Sequence, residues 1–161
     1  MFERYVMRTK FCLLLLVSVI FLCGPAIYAQ GGVKTGPDPS TLRDPDLEKD
    51  SLHNLEVARN YFKLKKAYVA ALRRCEEIIA GNPNFAKIEE VLFIAGRSSL
   101  SLAENKGKQS PSLYSKSTTP EEFRAMARDY FTKLVTDHPD SSFAKDAQDD
   151  LRSLGEAKPN P

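Results

Sequence analysis

The chain has 161 residues, which is enough for one ordinary domain, and carries 23 Lys and Arg residues against 21 Asp and Glu residues. Three of the basic side chains and one acid lie in residues 1–29, so the remainder is formally neutral, with 20 residues of each sign. A nucleic-acid-binding protein is expected to carry a basic surplus, and the overall balance shows none. The composition therefore argues against nucleic acid as a partner.

The N-terminus has the organisation of a secretory signal peptide. Three basic residues precede an apolar run from Phe11 to Leu22, and small residues follow up to Ala29. The run is about twelve residues long, whereas a membrane-spanning helix needs about twenty. We expect residues 1–29 to be removed, with a retained anchor as the alternative. The predicted location is the periplasm or the periplasmic face of the outer membrane.

Cys23 admits a second interpretation of the same segment. An apolar run that ends in Cys-Gly can mark a bacterial lipoprotein, whose cysteine is acylated and tethers the protein to a membrane. Such signals usually place a small residue before the cysteine, whereas this chain has Leu22. Cys23 is therefore either a lipidation site or an apolar member of the signal peptide. Cleavage after Ala29 would leave Cys75 alone, which excludes an internal disulfide.

The first helix is predicted to begin after a flexible tether that covers residues 30–43, a stretch rich in Gly and Pro. Asp44 is a suitable N-cap, and Pro45 suits the first helical position. The helix is expected to run to about Leu64.

The second and third helices have continuous apolar stripes. In the range 67–81, apolar or small residues recur at helical spacing from Tyr68 to Ile79, and Gly81 is expected to end the helix in a left-handed conformation. A third helix is predicted from Lys87 to about Ala103. Gly96 within it would allow close approach of a neighbouring helix.

An insertion at residues 105–118 interrupts the helical pattern. Loops of this length are uncommon in helical hairpins and are either functional or disordered. The composition favours a mobile surface loop; if the loop has a function, Leu113 and Tyr114 are the residues able to anchor in a partner.

The fourth helix is predicted to begin at a capping box formed by Thr119 and Glu122, and to stop at Pro139. A fifth helix follows from about Ser142 to Gly155. Residues 156–161 are predicted to be a disordered tail.

The second and fourth helices repeat one pattern that leads into a proline turn. The matching positions are Ala71, Cys75, Ile78 and Pro83 in one copy, and Ala127, Phe131, Leu134 and Pro139 in the other. Such periodicity is typical of stacked helical repeats, in which each unit buries its apolar face against its neighbours.

The segments 83–86 and 138–148 resemble tetratricopeptide repeats, specifically those of the BamD-like outer-membrane-protein assembly factors. The resemblance covers about residues 51–154 and implies an all-α domain over residues 44–155. The implied architecture is a short right-handed α-solenoid of tetratricopeptide-like hairpins with about five helices. The implied function is a non-enzymatic scaffold for other envelope proteins or peptides. A soluble periplasmic coordinator of envelope or division machinery is the alternative, and the oligomeric state stays open.

The resemblance also indicates which residues would bind a partner. The first helix of each hairpin lines the binding side in tetratricopeptide folds. Asn60 and Arg97 would then hold a peptide backbone or carboxylate, with Lys63 beside them and Phe93 as the apolar anchor. An ordinary polar helix surface is the alternative for each position.

No catalytic, metal or cofactor site is predicted. The two histidines, His53 and His138, are far apart in sequence and have no cysteine partners at ligand spacing. Paired acids such as Glu76 and Glu77 are adjacent, so on a helix they point in different directions.

Overall fold

The computed structural model of the protein describes residues 43–155. The predicted signal peptide (1–29), the tether up to residue 42, the possible lipidation site at Cys23 and the predicted tail (156–161) lie outside the described residues.

Five α-helices account for most of the described chain, and no strand occurs within residues 43–155. The helices are α1 (Pro45–Arg59), α2 (Tyr68–Gly81), α3 (Ile88–Ala103), α4 (Pro120–Asp137) and α5 (Ala144–Gly155). The all-α prediction with about five helices is confirmed.

The capping hydrogen bonds predicted at the starts of two helices are present. Asp44 accepts from the backbone N–H groups of Asp46 and Leu47, and Pro45 occupies the first turn of α1. Thr119 and Glu122 form the full capping box at the start of α4, because each side chain accepts from the other residue's backbone N–H.

The first helix reaches its predicted end near Leu64, but its last turns are not α-helical. After Arg59 the backbone widens into a π-helical segment, Asn60–Lys65, and Lys66 adopts a left-handed conformation with φ 50°. The Ala67 N–H then bonds to the Tyr61 carbonyl at 2.9 Å and closes this end. The apolar spacing up to Leu64 resembles that of a regular helix, so the sequence pattern does not reveal the wider turn.

The expectation that Gly81 is left-handed is wrong. Gly81 is the last residue of α2, and the chain leaves the helix through Asn82, which has φ −142° and ψ 74°. The Asn82 side chain donates to Glu48 and Ser51 of α1, both at 3.1 Å. This contact ties the α2–α3 turn to the first helix, so the turn is set by a buried amide rather than by glycine.

The core lies between consecutive helices, which are joined by short connections except at the insertion. Helix α3 packs against both α2 and α4 and carries the largest number of buried residues of any described helix. The fully buried side chains include Leu55 of α1, Leu72 of α2, Leu92 of α3 and Phe131 of α4. The predicted stripes thus point into one core, which in the described part of the chain runs from Leu55 to Leu154.

Polar contacts join alternate helices and thereby define two layers. Arg59 of α1 binds Glu90 of α3, and Arg97 of α3 pairs with Asp150 of α5. On the other side, the hydroxyl of Tyr130 on α4 donates to Glu76 of α2. Odd-numbered helices therefore form one layer and even-numbered helices the other, which is the arrangement of a tetratricopeptide-like helical solenoid.

Candidate protein-interaction surface

The surface formed by α1, α3 and α5, called here the odd-helix face, contains four of the predicted binding residues. Asn60 and Lys63 lie on the π-helical extension of α1 and are exposed. Phe93 and Arg97 lie one turn apart on α3 and are half-buried. No hydrogen bond or ion pair in the described part of the chain joins the first two residues to the second two.

The centre of the odd-helix face is an ion pair that sequence reasoning missed. The Arg59 guanidinium donates to both oxygens of Glu90, with Nε at 2.7 Å from Oε1 and a terminal nitrogen at 2.5 Å from Oε2. The two side chains keep 29% and 16% of their surface exposed. These hydrogen bonds lower the pKa of the Glu90 carboxyl and raise the pKa of Arg59.

Arg97, the predicted peptide-binding arginine, is paired within the chain. Its Nε lies 2.6 Å from Oδ2 of Asp150, and its guanidinium lies 5.3 Å from the centre of the Phe93 ring. Burial raises the pKa of Asp150, and the positive charge of Arg97 opposes that shift. Since the Arg97 side chain remains 40% exposed, its outer nitrogens stay accessible to an acceptor on a partner.

Phe93, the predicted apolar anchor, belongs to an aromatic cluster. Its ring stacks on Phe143 at 5.0 Å and lies 6.2 Å from Phe131. The cluster joins α3 to α4 and to the start of α5. Phe93 therefore has a packing role in the chain, and only the outer part of its ring can meet a partner.

The insertion at residues 105–118, predicted to be a surface loop, forms hydrogen bonds with α2 and with the turn that precedes it. The Gln109 side chain accepts a hydrogen bond from the Ala70 N–H at 3.0 Å, and the Lys108 N–H donates to the Lys66 carbonyl at 3.0 Å. Helix α2 has no cap from its own N-cap residue, Ala67. Gln109 therefore supplies from a distant segment the acceptor that the first turn of α2 lacks.

Tyr114, predicted as a possible partner anchor, is engaged by the chain itself. Its hydroxyl donates to Glu76 at 2.7 Å, and its ring lies 5.4 Å from that of Phe123. Burial and the nearby Glu76 carboxylate raise the pKa of Tyr114 to about 12. The hydroxyl of Tyr130 donates to the same carboxylate, and burial raises the pKa of Tyr130 as well. The neighbouring Leu113 is instead 59% exposed, although its carbonyl accepts from Arg73 at 2.8 Å.

Several of these contacts carry no local signal in the sequence. Arg59 and Glu90 are 31 positions apart, and Ala70 and Gln109 are 39 positions apart. An ion pair within one helix shows as a spacing of three or four residues, whereas these pairs depend on how the helices stack.

The described residues offer little that could carry out chemistry. Cys75 is buried in the α2 stripe, and burial raises the pKa of its thiol, so the reactive thiolate is disfavoured. Within residues 43–155, no three His, Cys, Asp or Glu side chains converge as metal ligands. None of the helices in this range combines the length and the apolar character that crossing a bilayer requires.

A two-layer helical repeat with a polar, partly exposed face is the architecture of a tetratricopeptide-like helical solenoid. Residues 53–157 match the family model of YfiO, described as an outer membrane lipoprotein. The chain belongs to this family, since the match covers more than half of its length. No curated protein and no solved structure shows a significant match to the chain.

Proposed function

We propose that the protein is a non-enzymatic scaffold that binds other envelope proteins at the periplasmic face of the outer membrane and takes part in outer-membrane protein assembly. The family match over residues 53–157 carries this proposal, because it covers almost the whole helical repeat. The two-layer architecture supports it, since stacked helical hairpins present extended surfaces to partners.

The odd-helix face is the proposed partner-binding surface. Exposed His53, Glu56, Asn60 and Lys63 offer donors and acceptors along α1 and its extension. Arg97 and the outer part of Phe93 supply a second group of contacts on α3. Because Arg59, Glu90 and Asp150 already hold the three helices together, the face is ordered before a partner arrives, which lowers the entropy cost of binding.

Photo-crosslinking in the native host tests this surface. A photoreactive amino acid placed at His53, Glu56 or Asn60 should capture a protein of the envelope fraction. The matched controls are Asp129 and Thr132, which are equally exposed on α4 in the other layer. Capture from α4 positions and not from α1 positions would move the interface to the other layer and contradict this proposal.

A soluble periplasmic coordinator is the second candidate, and the N-terminus of the mature protein distinguishes the two. An acylated Cys23 in an intact-mass measurement would support attachment to the outer membrane. A chain that starts at Gln30 would support the soluble coordinator.

A further inference from the structure

One end of the molecule is strongly basic, although the described residues as a whole are neutral, with 18 basic and 18 acidic side chains. Residues 63–74 and 104–118, together called here the basic end, contain eight Lys and Arg residues and only one acid, Glu104. The rest of the described chain therefore has an acidic surplus. The overall composition, from which we argued against nucleic acid as a partner, conceals this separation of charge.

The two segments of the basic end meet in the folded chain. The Lys108 N–H bonds to the Lys66 carbonyl, and Arg73 donates to the Leu113 carbonyl. Gly107 lies against the same turn with φ +96°, where an added Cβ would be 2.6 Å from the Lys66 carbonyl oxygen. The charges of the two segments therefore belong to one continuous surface.

Most of this positive charge has no acidic partner. Arg74 pairs with Glu77, and Lys106 pairs with Glu104. The other six basic residues form no ion pair with any described residue; they are Lys63, Lys65, Lys66, Arg73, Lys108 and Lys116. Glu76, which lies on α2 two residues after Arg74, already accepts from the hydroxyls of Tyr114 and Tyr130.

The two most exposed large apolar side chains of the described residues also lie at the basic end. Leu64 is 76% exposed and Leu113 is 59% exposed. Leu113 and Tyr61 both line a cleft of about 410 Å³. Tyr61 precedes Leu64 by three residues in the π-helical segment. Leu64 lies between Lys63 and Lys65, so an apolar tip is flanked by positive charge.

We propose that the basic end docks on an anionic phospholipid surface, with Leu64 and Leu113 entering the boundary between headgroups and acyl chains. Lysines attract an anionic leaflet electrostatically, and leucines that project from the surface gain by leaving water. A polyanion such as nucleic acid would use the charge but not the leucines. This contact does not depend on a lipid on Cys23, and of the residues proposed for the odd-helix face it uses only Lys63.

Vesicle co-sedimentation tests the proposal with the chain that starts at Gln30, which keeps every core residue of the described range 43–155 and lacks Cys23. It should bind vesicles that contain phosphatidylglycerol, and it should leave them at high salt because screening shortens the range of the attraction. Neutral phosphatidylcholine vesicles should bind it much more weakly.

Two sets of variants locate the contact. The triple variant Lys63→Gln, Lys66→Gln and Lys108→Gln should lose about a hundredfold in partitioning, since each basic residue near an anionic surface contributes about fivefold. The control triple variant Lys49→Gln, Lys87→Gln and Lys145→Gln removes the same charge at exposed positions outside the basic end, and it should bind nearly as the parent does. Leu64→Ser with Leu113→Ser should lose about tenfold or more at unchanged charge.

Equal losses in the two lysine triple variants would overturn the proposal, because net charge alone would then explain binding. Binding that is insensitive to the leucine substitutions would also overturn the insertion step. Capture by immobilised polyglutamate without vesicle binding would assign the basic end to an acidic protein instead. Crosslinking at the odd-helix face is measured separately, so either proposal can fail while the other stands.

Discussion

Gly96 is the position where the smallest side chain decides how close two helices come. A Cβ added there would lie 2.5 Å from a ring carbon of Phe131 on α4. Gly96→Ala is therefore expected to lower the free energy of unfolding by about 1–3 kcal/mol through overpacking. The better helix propensity of alanine, about 1 kcal/mol, offsets only part of this loss. Urea denaturation followed by circular dichroism measures the difference.

Gly81→Ala is the matched control, because no atom lies within 4 Å of the added Cβ and the residue is helical. It should be neutral or slightly stabilising. A neutral Gly96→Ala would show that α3 and α4 separate easily, which contradicts the close contact described above.

Glu90 is expected to make the stability of the fold depend on pH. Because Arg59 lowers the folded-state pKa of Glu90, the pair stabilises the fold above the ordinary glutamate pKa of about 4.3. That stability is lost as the pH falls through the lowered folded-state pKa. Glu90→Gln should therefore cost about 1.5–3 kcal/mol at neutral pH, the range for hydrogen bonds to charged groups. The difference between the variant and the parent should shrink towards zero in acid.

Denaturation midpoints at several pH values provide the measurement. Glu89→Gln serves as the control, since Glu89 forms no ion pair with a described residue. A Glu90→Gln penalty that persists unchanged in acid would mean that the lost contact is packing rather than charge.

At the scale of elements, the insertion acts as a cap for α2. Gln109→Ala removes the acceptor for the Ala70 N–H and is expected to cost about 1 kcal/mol, as losing a helix cap commonly does. Amide exchange at Ala70, measured by NMR, should rise more than exchange in the last turn of α2. Gln148→Ala on the exposed side of α5 is the control. Unchanged protection at Ala70 would show that the insertion does not cap the helix.

The helices themselves were predictable because their signals are local. Thr119 and Glu122, three positions apart, specify the start of α4. The recurrence of apolar residues every three or four positions specifies the buried faces of α2 and α3. The π-helical end of α1 was not predictable, since its residues have the same apolar spacing as an α-helix.

Among the proposed binding residues, the sequence placed Phe93 and Arg97 on the correct helix but did not show their partners. Asp150 and Phe143 belong to a part of the chain about fifty positions later, and only the stacking of α5 brings them to α3. A prediction from helix faces therefore overestimates how much of each side chain is free for a partner.

At the scale of the molecule, stability should decrease from the centre of the repeat towards its end. Helix α3 is buried between α2 and α4, whereas α5 packs chiefly on α4 and is tied to α3 by Arg97 and Asp150. Hydrogen exchange monitored by mass spectrometry should show the strongest protection in α3 and the weakest helical protection in α5.

Arg97→Met should increase exchange in α5 more than in α1, because it removes the ion pair to α5 and leaves the Arg59 contact intact. Equal protection in all five helices would mean that the repeat opens as one unit, contrary to nearest-neighbour stability.

The distant cap on α2 has a consequence for the timing of folding. Whether the chain emerges from the ribosome or from the export machinery, its N-terminal part comes first, so α1 and α2 are present before Gln109 and Tyr114 are available. Until then α2 has an unsatisfied helix end, and before residues 88–103 follow, the first hairpin also has an apolar face without its partner α3. The earliest part of the domain to be made is thus among the last to be completed, and in that interval it is the part most in need of a chaperone.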